Sequence, residues 1–270
     1  MSALTLTLKH RPDQRVDMSP LVCDKLNGLT PTDISAIKLF CGKAKLRVDE
    51  LFSVSGHNTQ HLIIENSFEK LDYIGKELSS GLIEIAGDAG AYCGLGLKGG
   101  ELKVSGSVGV FGGCEMKKGY IEINGNAGDF LGGALVGNKL GMKGGLILVK
   151  GNAGDRAGDQ LRRGTILIEG NAGDYCGSRM IAGTIAILGQ TGAFLGYGMR
   201  RGTLLLWQKP QLIATFNDCG SHSLAFLPIL FHSFKTLNSR FADPSIRFNR
   251  VQRYAGDLSE TGRGEVLVKI

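Results

Sequence analysis

Gly164-Thr165-Ile166-Leu167-Ile168-Glu169-Gly170-Asn171-Ala172-Gly173-Asp174-Tyr175-Cys176-Gly177-Ser178-Arg179-Met180-Ile181-Ala182 is one unit of a repeat, and the repeat decides the fold. Its opening, a glycine followed at the second and fourth positions by apolar residues, recurs at Gly81, Gly100, Gly119, Gly145, Gly183 and Gly202. The step is 19 residues. In the first six copies, further glycines fall six, nine and thirteen residues on. The step from Gly119 to Gly145 is 26 residues, one period plus a seven-residue insertion near Leu135–Gly141. Self-similarity of this kind means stacked units that bury surface against their neighbours.

Within each unit the branched aliphatics stand two apart: Ile83/Ile85, Leu102/Val104, Ile121/Ile123, Ile147/Val149, Ile166/Ile168, Ile185/Ile187 and Leu204/Leu206. That spacing puts both on one face of a strand. A small apolar residue follows at Ala89, Val108, Ala127, Ala153 and Ala172, and a third inward site at Leu97, Met116, Met142, Leu161, Met180 and Met199. Three inward sites per unit predict three short strands joined by glycine turns, and no window is long and glycine-free enough for a helix. The expected class is all-β, a right-handed parallel β-helix of about seven coils. At the sheet spacing of about 4.8 Å it forms a prism roughly 30 Å long.

An open stack needs covered ends. The chain divides into an N-terminal cap with short strands (1–78), the repeats (79–207) and a C-terminal cap with one helix and a basic segment (208–270). In the first, Leu4–Lys9, Leu51–Val54 and Leu62–Glu65 read as strands, and Thr32 or Asp33 as the cap of a short turn. In the last, Ser221–Phe234 reads as an apolar helix with Pro228 in its first turn, lying against the stack, and Glu265–Ile270 as a final strand.

The alternating N-terminus lacks the charged and apolar regions of a signal peptide, and no apolar run approaches the roughly 18 residues of a membrane span. Six scattered cysteines form no C-x-x-C pair, so iron–sulfur and structural zinc readings lose their support, and a reducing cytoplasm fits. Net charge is +6, which suggests an acidic partner. No motif points to nucleic acid.

Three features carry the functional question. Asn126, Asn152 and Asn171 fall at one corner of successive units and predict an amide ladder. Asp129, Asp155 and Asp174 follow in G-N-A-G-D. They read either as solvated turn residues or as stacked carboxylates able to hold a cation or act as acid and base. Finally, Lys98, Lys117, Lys118, Lys143, Arg162, Arg163, Arg200 and Arg201 precede the opening glycines, and only Ile181-Ala182 breaks the line. Equal positions align in space, so they form either a solvated edge that deters aggregation or an electropositive rail for a polyanion or an acidic partner. His57 and His61 stand four apart without the H-E-x-x-H frame of a zinc site. No catalytic constellation and no metal-ligand set is found.

Gly125-Asn126-Ala127-Gly128-Asp129, Gly141-Met142-Lys143-Gly144-Gly145 and Met199-Arg200-Arg201-Gly202-Thr203 resemble the C subunit of formylmethanofuran dehydrogenase and of its bacterial relative, the formyltransferase/hydrolase complex. So do Val48-Asp49-Glu50-Leu51-Phe52-Ser53-Val54, Arg253-Tyr254-Ala255-Gly256-Asp257-Leu258 and Gly262-Arg263-Gly264-Glu265-Val266-Leu267. Ile64-Glu65-Asn66-Ser67 departs from the family, which commonly has glycine after the acid. Gly87–Gly100 also resembles the G-x-G-x-G domain of the glutamate synthase large subunit, although the amidotransferase and flavin regions are missing.

The resemblance implies a structural, non-catalytic subunit of a C1 complex. That complex passes a formyl group between tetrahydromethanopterin and methanofuran and hydrolyses formylmethanofuran to formate. Its other subunits are a transferase, a metal-bearing hydrolase-like subunit and a further structural one. It implies no cofactor on this chain and no catalytic residue to carry over. With it, the rail of Lys117, Lys118, Lys143, Arg162, Arg163, Arg200 and Arg201 becomes a track for methanofuran's glutamate-rich tail or a docking face. The absence of a redox motif points to the bacterial complex. A molybdenum or tungsten dehydrogenase subunit, and a stand-alone β-helix enzyme using the aspartate column, are the alternatives.

Overall fold

The computed structural model describes residues 2–270. The chain is mostly β-structure with a few short helices. A thirteen-stranded sheet runs its length, and a four-stranded sheet lies in the N-terminal part. The central strands of the large sheet are parallel and follow one another in chain order. Tyr120–Ile123 pairs with Glu101–Val104 on one side and Lys143–Val149 on the other. Arg163–Ile168, Thr184–Ile187 and Arg201–Leu206 continue the series.

Equivalent residues of successive units lie opposite one another: Ile121 faces Leu102 and Ile147, and Ile166 faces Ile147 and Ile185. The aliphatic pairs anticipated as inward-facing are all buried, as are Leu97, Met116, Met142, Leu161, Met180 and Met199. Ala89, Val108, Ala127, Ala153, Ala172 and Thr191 form a second parallel column of bridges. The seven-residue insertion leaves the register intact, since Ile121 and Ile147 still pair. It projects as a loop whose tip, Val136, is 91% exposed.

The opening glycines are forced by close approach. Gly164 has φ +107, and a Cβ there would lie 2.8 Å from Met142 Cε and 2.9 Å from the Gly145 carbonyl oxygen. No L side chain fits that corner.

The end segments extend the same sheet. Asn58–Ser67 pairs in parallel with Leu82–Gly87, and Ala3–Leu8 with Asn58–Ser67, so Leu4/Leu6 and Leu62/Ile64 continue the inner column. At the other end Arg263–Lys269 pairs in parallel with Arg201–Leu206 and then antiparallel with Arg250–Gly256. The short N-terminal turn is capped at Thr30, two residues earlier than anticipated. Pro31 follows, and Asp33 accepts a hydrogen bond from the Thr30 N–H at 3.0 Å. The apolar helix is Phe226–Ser233, shorter than its sequence pattern, because Asn217–Ser223 is drawn into an antiparallel pairing with Arg250–Gly256.

That helix packs on the outer face of the sheet. Leu227, Phe231, Phe234 and Phe241 form a second core with Leu148, Leu167, Leu205 and Leu267. Glu169 fastens the segment, accepting from Ser239 Oγ at 2.6 Å and the Arg240 N–H at 2.8 Å. No helix among the described residues is long and apolar enough to cross a membrane.

Ile168 is fully buried between Val149 and Ile187. Its replacement by aspartate places an unpaired charge there, at a cost on the order of 3–5 kcal/mol. Equilibrium urea unfolding of the variant should show that loss or an insoluble chain. A normally folding protein would contradict the inward assignment.

Candidate functional site

The asparagine and aspartate columns are hydrogen-bonded along the stack, but to backbone and not amide to amide. Oδ1 of Asn126 accepts from the Asn152 N–H, Asn152 from the Asn171 N–H and Asn171 from the Gln190 N–H, each at 2.8 Å. Oδ1 of Asp129 accepts from the Asp155 N–H at 2.9 Å, Asp155 from Asp174 at 2.8 Å, and Asp174 from Ala193 at 2.7 Å. Each side chain supplies the acceptor that the turn one unit on requires. The carboxylates thus hold turns together.

Other acids and thiols are similarly committed. Asp159 is buried and bonded by Ser178 Oγ at 2.7 Å and by the Arg179 guanidinium. Burial pushes the Cys93 and Cys176 thiols up to about 12 and raises the Cys114 thiol as well. Burial and then the Asp24 charge raise Cys23 to about 11. None of these four is a thiolate at neutral pH. His61 Nε2 lies 2.8 Å from Glu84 Oε2, and His57 is exposed. Among the described residues no three histidine, cysteine or acidic side chains gather to hold a metal.

In the closing motif, Asp257 is buried. Its carboxylate accepts from the Gly198 N–H at 2.9 Å and from the Ser259 hydroxyl at 2.7 Å. Burial alone would raise this carboxyl, but the hydrogen bonds outweigh it and hold it below the ordinary value of 3.8.

The basic residues lie along one edge but in two rows. Lys98, Lys117, Lys143, Arg162, Ile181 and Arg200 are equivalent. Each backbone N–H donates to the carbonyl preceding the same position one unit back, as in Arg162 to Met142 at 2.9 Å and Arg200 to Met180 at 2.8 Å. The next residues, Gly99, Lys118, Gly144, Arg163, Ala182 and Arg201, form the second row, and successive residues of an extended chain point apart. Arg200 lines a cleft of about 270 Å³ with Lys139, Gln160, Arg179 and Glu260. Arg201 instead faces a cleft of about 530 Å³ with Arg163 and Arg263. Lys143 lines a third, of about 300 Å³, beside Glu115 and Lys139.

The ends of the first row are paired, Lys98 with Glu77 at 3.1 Å and Arg200 with Glu260 at 3.2 Å. Lys117, Lys118, Lys143, Arg162, Arg163, Arg201 and Arg263 make no ion pair among the described residues.

Sequence reasoning missed Arg263. The signal was present: Arg163-Gly164-Thr165-Ile166-Leu167-Ile168, Arg201-Gly202-Thr203-Leu204-Leu205-Leu206 and Arg263-Gly264-Glu265-Val266-Leu267-Val268 share one pattern. It also missed an aromatic column. Tyr73, Tyr92, Phe111 and Phe130 stack with centroids 4.8, 5.2 and 4.9 Å apart, and Tyr175 stacks on Phe194 at 4.7 Å. Arg156 fills the gap, its guanidinium 5.9 Å from the Phe130 centroid and 4.5 Å from that of Tyr175. All seven residues have φ between 57° and 62°. Stacking offsets the cost of the left-handed backbone. Every one after Tyr73 falls eleven residues past an opening glycine.

Two predictions test these assignments. Asp155→Asn keeps the acceptor, so stability should match the parent, whereas Asp155→Ala should lose about 1 kcal/mol in urea unfolding. A loss in the asparagine variant as large as in the alanine variant would contradict the acceptor role. For Asp257, whose folded value is depressed, the stabilisation is present above pH 3.8 and fades as pH falls through the folded value. Asp257→Asn should therefore lower the melting temperature at pH 7, with the gap to the parent narrowing below about pH 4.

Comparison with known proteins places the chain. The GXGXG motif family model matches residues 72–219. The C subunit of the formyltransferase/hydrolase complex Fhc of Methylorubrum extorquens is 47% identical over 264 residues, 98% of each chain. The C subunit of the tungsten-containing formylmethanofuran dehydrogenase 2 of Methanococcus maripaludis is 35% identical over 92 residues, covering 33% of this chain and 34% of the relative. Among solved structures, the crystal structure of the M. extorquens formyltransferase/hydrolase complex (FhcABCD) with methylofuran contains a chain that superposes with a TM-score of 0.91 at 38% identity. The match covers 98% of this chain and 99% of that one.

Proposed function

Because the chain belongs to the GXGXG family, and within it to the C-subunit family of the formyltransferase/hydrolase complex, we propose that it is the non-catalytic structural subunit of such a complex. The complex would transfer a formyl group between tetrahydromethanopterin and methanofuran and hydrolyse formylmethanofuran to formate. The transferase centre and the metal-dependent hydrolase centre would lie on partner subunits, with a further structural subunit beside them, all in the cytoplasm. The repeats 79–207 would coil as a right-handed parallel β-helix of about seven turns. Segments 1–78 and 208–270 would be its ends.

The observation that carries this reading is where the reactive groups are spent. The repeated aspartates accept backbone hydrogen bonds from the next unit. The buried acid is neutralised by Arg179, and the buried thiols are held protonated. What remains along one edge is positive charge, unpaired among the described residues except where Lys98 meets Glu77 and Arg200 meets Glu260. In this reading Lys117, Lys118, Lys143, Arg162, Arg163, Arg200 and Arg201 steer the acidic tail of the furan cofactor between the two centres, through additive, salt-sensitive attraction. Methylofuran in the related complex supports a furan-bearing ligand.

The chain alone should show neither formyl transfer nor hydrolysis, and it should co-purify with the other subunits. Turnover by the isolated chain comparable to that of the complex would overturn the scaffold reading. Replacing Arg162 and Arg163 by glutamine should raise the Michaelis constant for the furan cofactor in an intact complex, more at low salt than at high. Failure to assemble would instead make this edge a docking face.

A further inference from the structure

The four-stranded sheet of the N-terminal part ends on an open strand. Its order is Ala44–Arg47, Lys38–Cys41, Val16–Asp17 and Leu71–Asp72, so Ala44–Arg47 has a neighbour on one side only. Lys38–Cys41 and Ala44–Arg47 form a hairpin around Gly42-Lys43, with Cys41 opposite Ala44 and Phe40 opposite Lys45. Gly42 takes φ +57, the left-handed conformation that two-residue hairpin turns require.

The short turn fixes which backbone groups stay free. In such a hairpin the pair beside the turn exchanges both backbone hydrogen bonds, and bonded and unbonded pairs alternate from there. Cys41 bonds to Ala44, and Leu39 to Leu46. Lys45, between them, turns its N–H and C=O to the open side. Nothing in the chain covers that side at the turn: every residue from Gly42 to Lys45 is exposed.

The side chains are sorted by face. Leu39 and Cys41 are buried. On the other face stand Lys38, Phe40, Lys45 and Arg47, with Lys43 at the turn. Phe40 is 51% exposed, and the Lys45 ammonium lies 4.8 Å from its ring centroid. Arg47 is paired with Asp49 at 2.6 Å. Lys38, Lys43 and Lys45 make no ion pair among the described residues.

Lysines on an edge strand deter pairing with a second copy, because like charges would face each other across the new ladder. The same charges favour a strand of opposite sign. Repelling the chain's own copy while attracting a complement reserves an open edge for one kind of partner. Phe40 gives the basic face an apolar centre, which edge protection alone does not call for.

We propose that Ala44–Arg47 receives an extended acidic segment of a partner subunit as a fifth strand of this sheet. Main-chain hydrogen bonds to Lys45 supply the pairing, and carboxylates at alternate positions of the segment meet Lys43 and Lys45. This contact rests on the reading of the chain as a structural subunit of a multi-subunit complex. It lies on a different sheet from the basic edge of the repeats.

The test is amide hydrogen exchange of the full chain, free and in the assembled complex. The Lys45 amide should exchange fast in the free chain and at least about tenfold more slowly in the complex. Two substitutions separate backbone from charge. Lys45→Pro removes the outward N–H and leaves the hairpin's own bonds. Lys45→Glu keeps the N–H and reverses the charge. Each should weaken association of the chain with the remaining subunits by about tenfold, the glutamate variant more at low salt than at high. The melting temperature of the free chain should not change, since Lys45 is exposed.

A Lys45 amide left unprotected in the assembled complex overturns strand addition, and so does parental affinity in Lys45→Pro. Protection with parental affinity in Lys45→Glu overturns the acidic segment. Binding of the free chain to anionic phospholipid vesicles or to single-stranded RNA, lost in Lys45→Glu, assigns the face to a lipid surface or a nucleic acid and overturns the protein partner. If no other subunit co-purifies with the chain, the structural-subunit reading fails and the added strand with it. If the complex assembles with the amide unprotected, that reading stands and the added strand alone falls. Exchange and Lys45→Glu decide the matter where Lys45→Pro does not fold.

Discussion

Register along the parallel stack is the constraint on which everything else depends. Side chains alternate between faces, so a slip of one residue between neighbouring strands would carry every inner aliphatic to the outside. The chain holds register in two independent ways. Ile83, Leu102, Ile121, Ile147, Ile166, Ile185 and Leu204 stand in line and are buried together. Then, at the turns, Asn126, Asn152 and Asn171, and beside them Asp129, Asp155 and Asp174, each reach one unit onward to a single N–H. The insertion between Gly119 and Gly145 shows how well this works. Seven extra residues are pushed out as a loop and the pairing of Ile121 with Ile147 is untouched.

The outer face of the same sheet is divided, and the division explains the C-terminal segment. From Leu82–Gly87 to Tyr120–Ile123 the outward positions include Glu84 and Lys103, half-buried polar groups, and Glu122, which is buried. Glu122 is paired with Lys150 at 2.7 Å. From Lys143–Val149 onward they are Leu148, Leu167, Ala186 and Leu205, with Leu267 beyond them, all buried. An apolar strip in a parallel sheet demands a layer above it. Phe231, Phe234 and Phe241 supply that layer, with Trp207 packed edge-on against Phe231 and Phe241. From the C-terminal helix Leu227 and Phe231 are buried in that layer, and Leu230 packs partly against it.

With inner face, outer face and turns accounted for, the surface left for function is the basic edge and the aromatic column. The column is self-contained: its rings stack on one another, and Arg156 completes the series by cation–π contact. The edge is not. Its guanidinium and ammonium groups outnumber their partners, and neighbouring strands hold like charges in register. An edge whose cations outnumber their partners, beside turns whose repeated aspartates are spent on the backbone, fits the acidic ligand or partner face proposed above.

The 19-residue glycine frame by itself determined that the chain stacks in parallel, which residues turn inward and where the insertion lies, because in a periodic stack every contact is a contact with the same position one unit away. The basic positions and the family were legible for the same reason, and the aromatic column and the R-G-x pattern at Arg263 were there to be read. Tertiary structure alone decided what depends on direction and on long-range pairing. Adjacent residues such as Arg162 and Arg163, neighbours in sequence, go to different rows because an extended chain alternates. Asn217–Ser223 becomes a strand because Arg250–Gly256 is there to pair with it. Above all, the chain returns after Leu206 to lay Arg263 beside Arg201, 62 residues away. No local rule dictates that closing strand. It comes back because the last repeat offers an open edge and an unburied Leu204/Leu206 pair, which Val266 and Val268 cover.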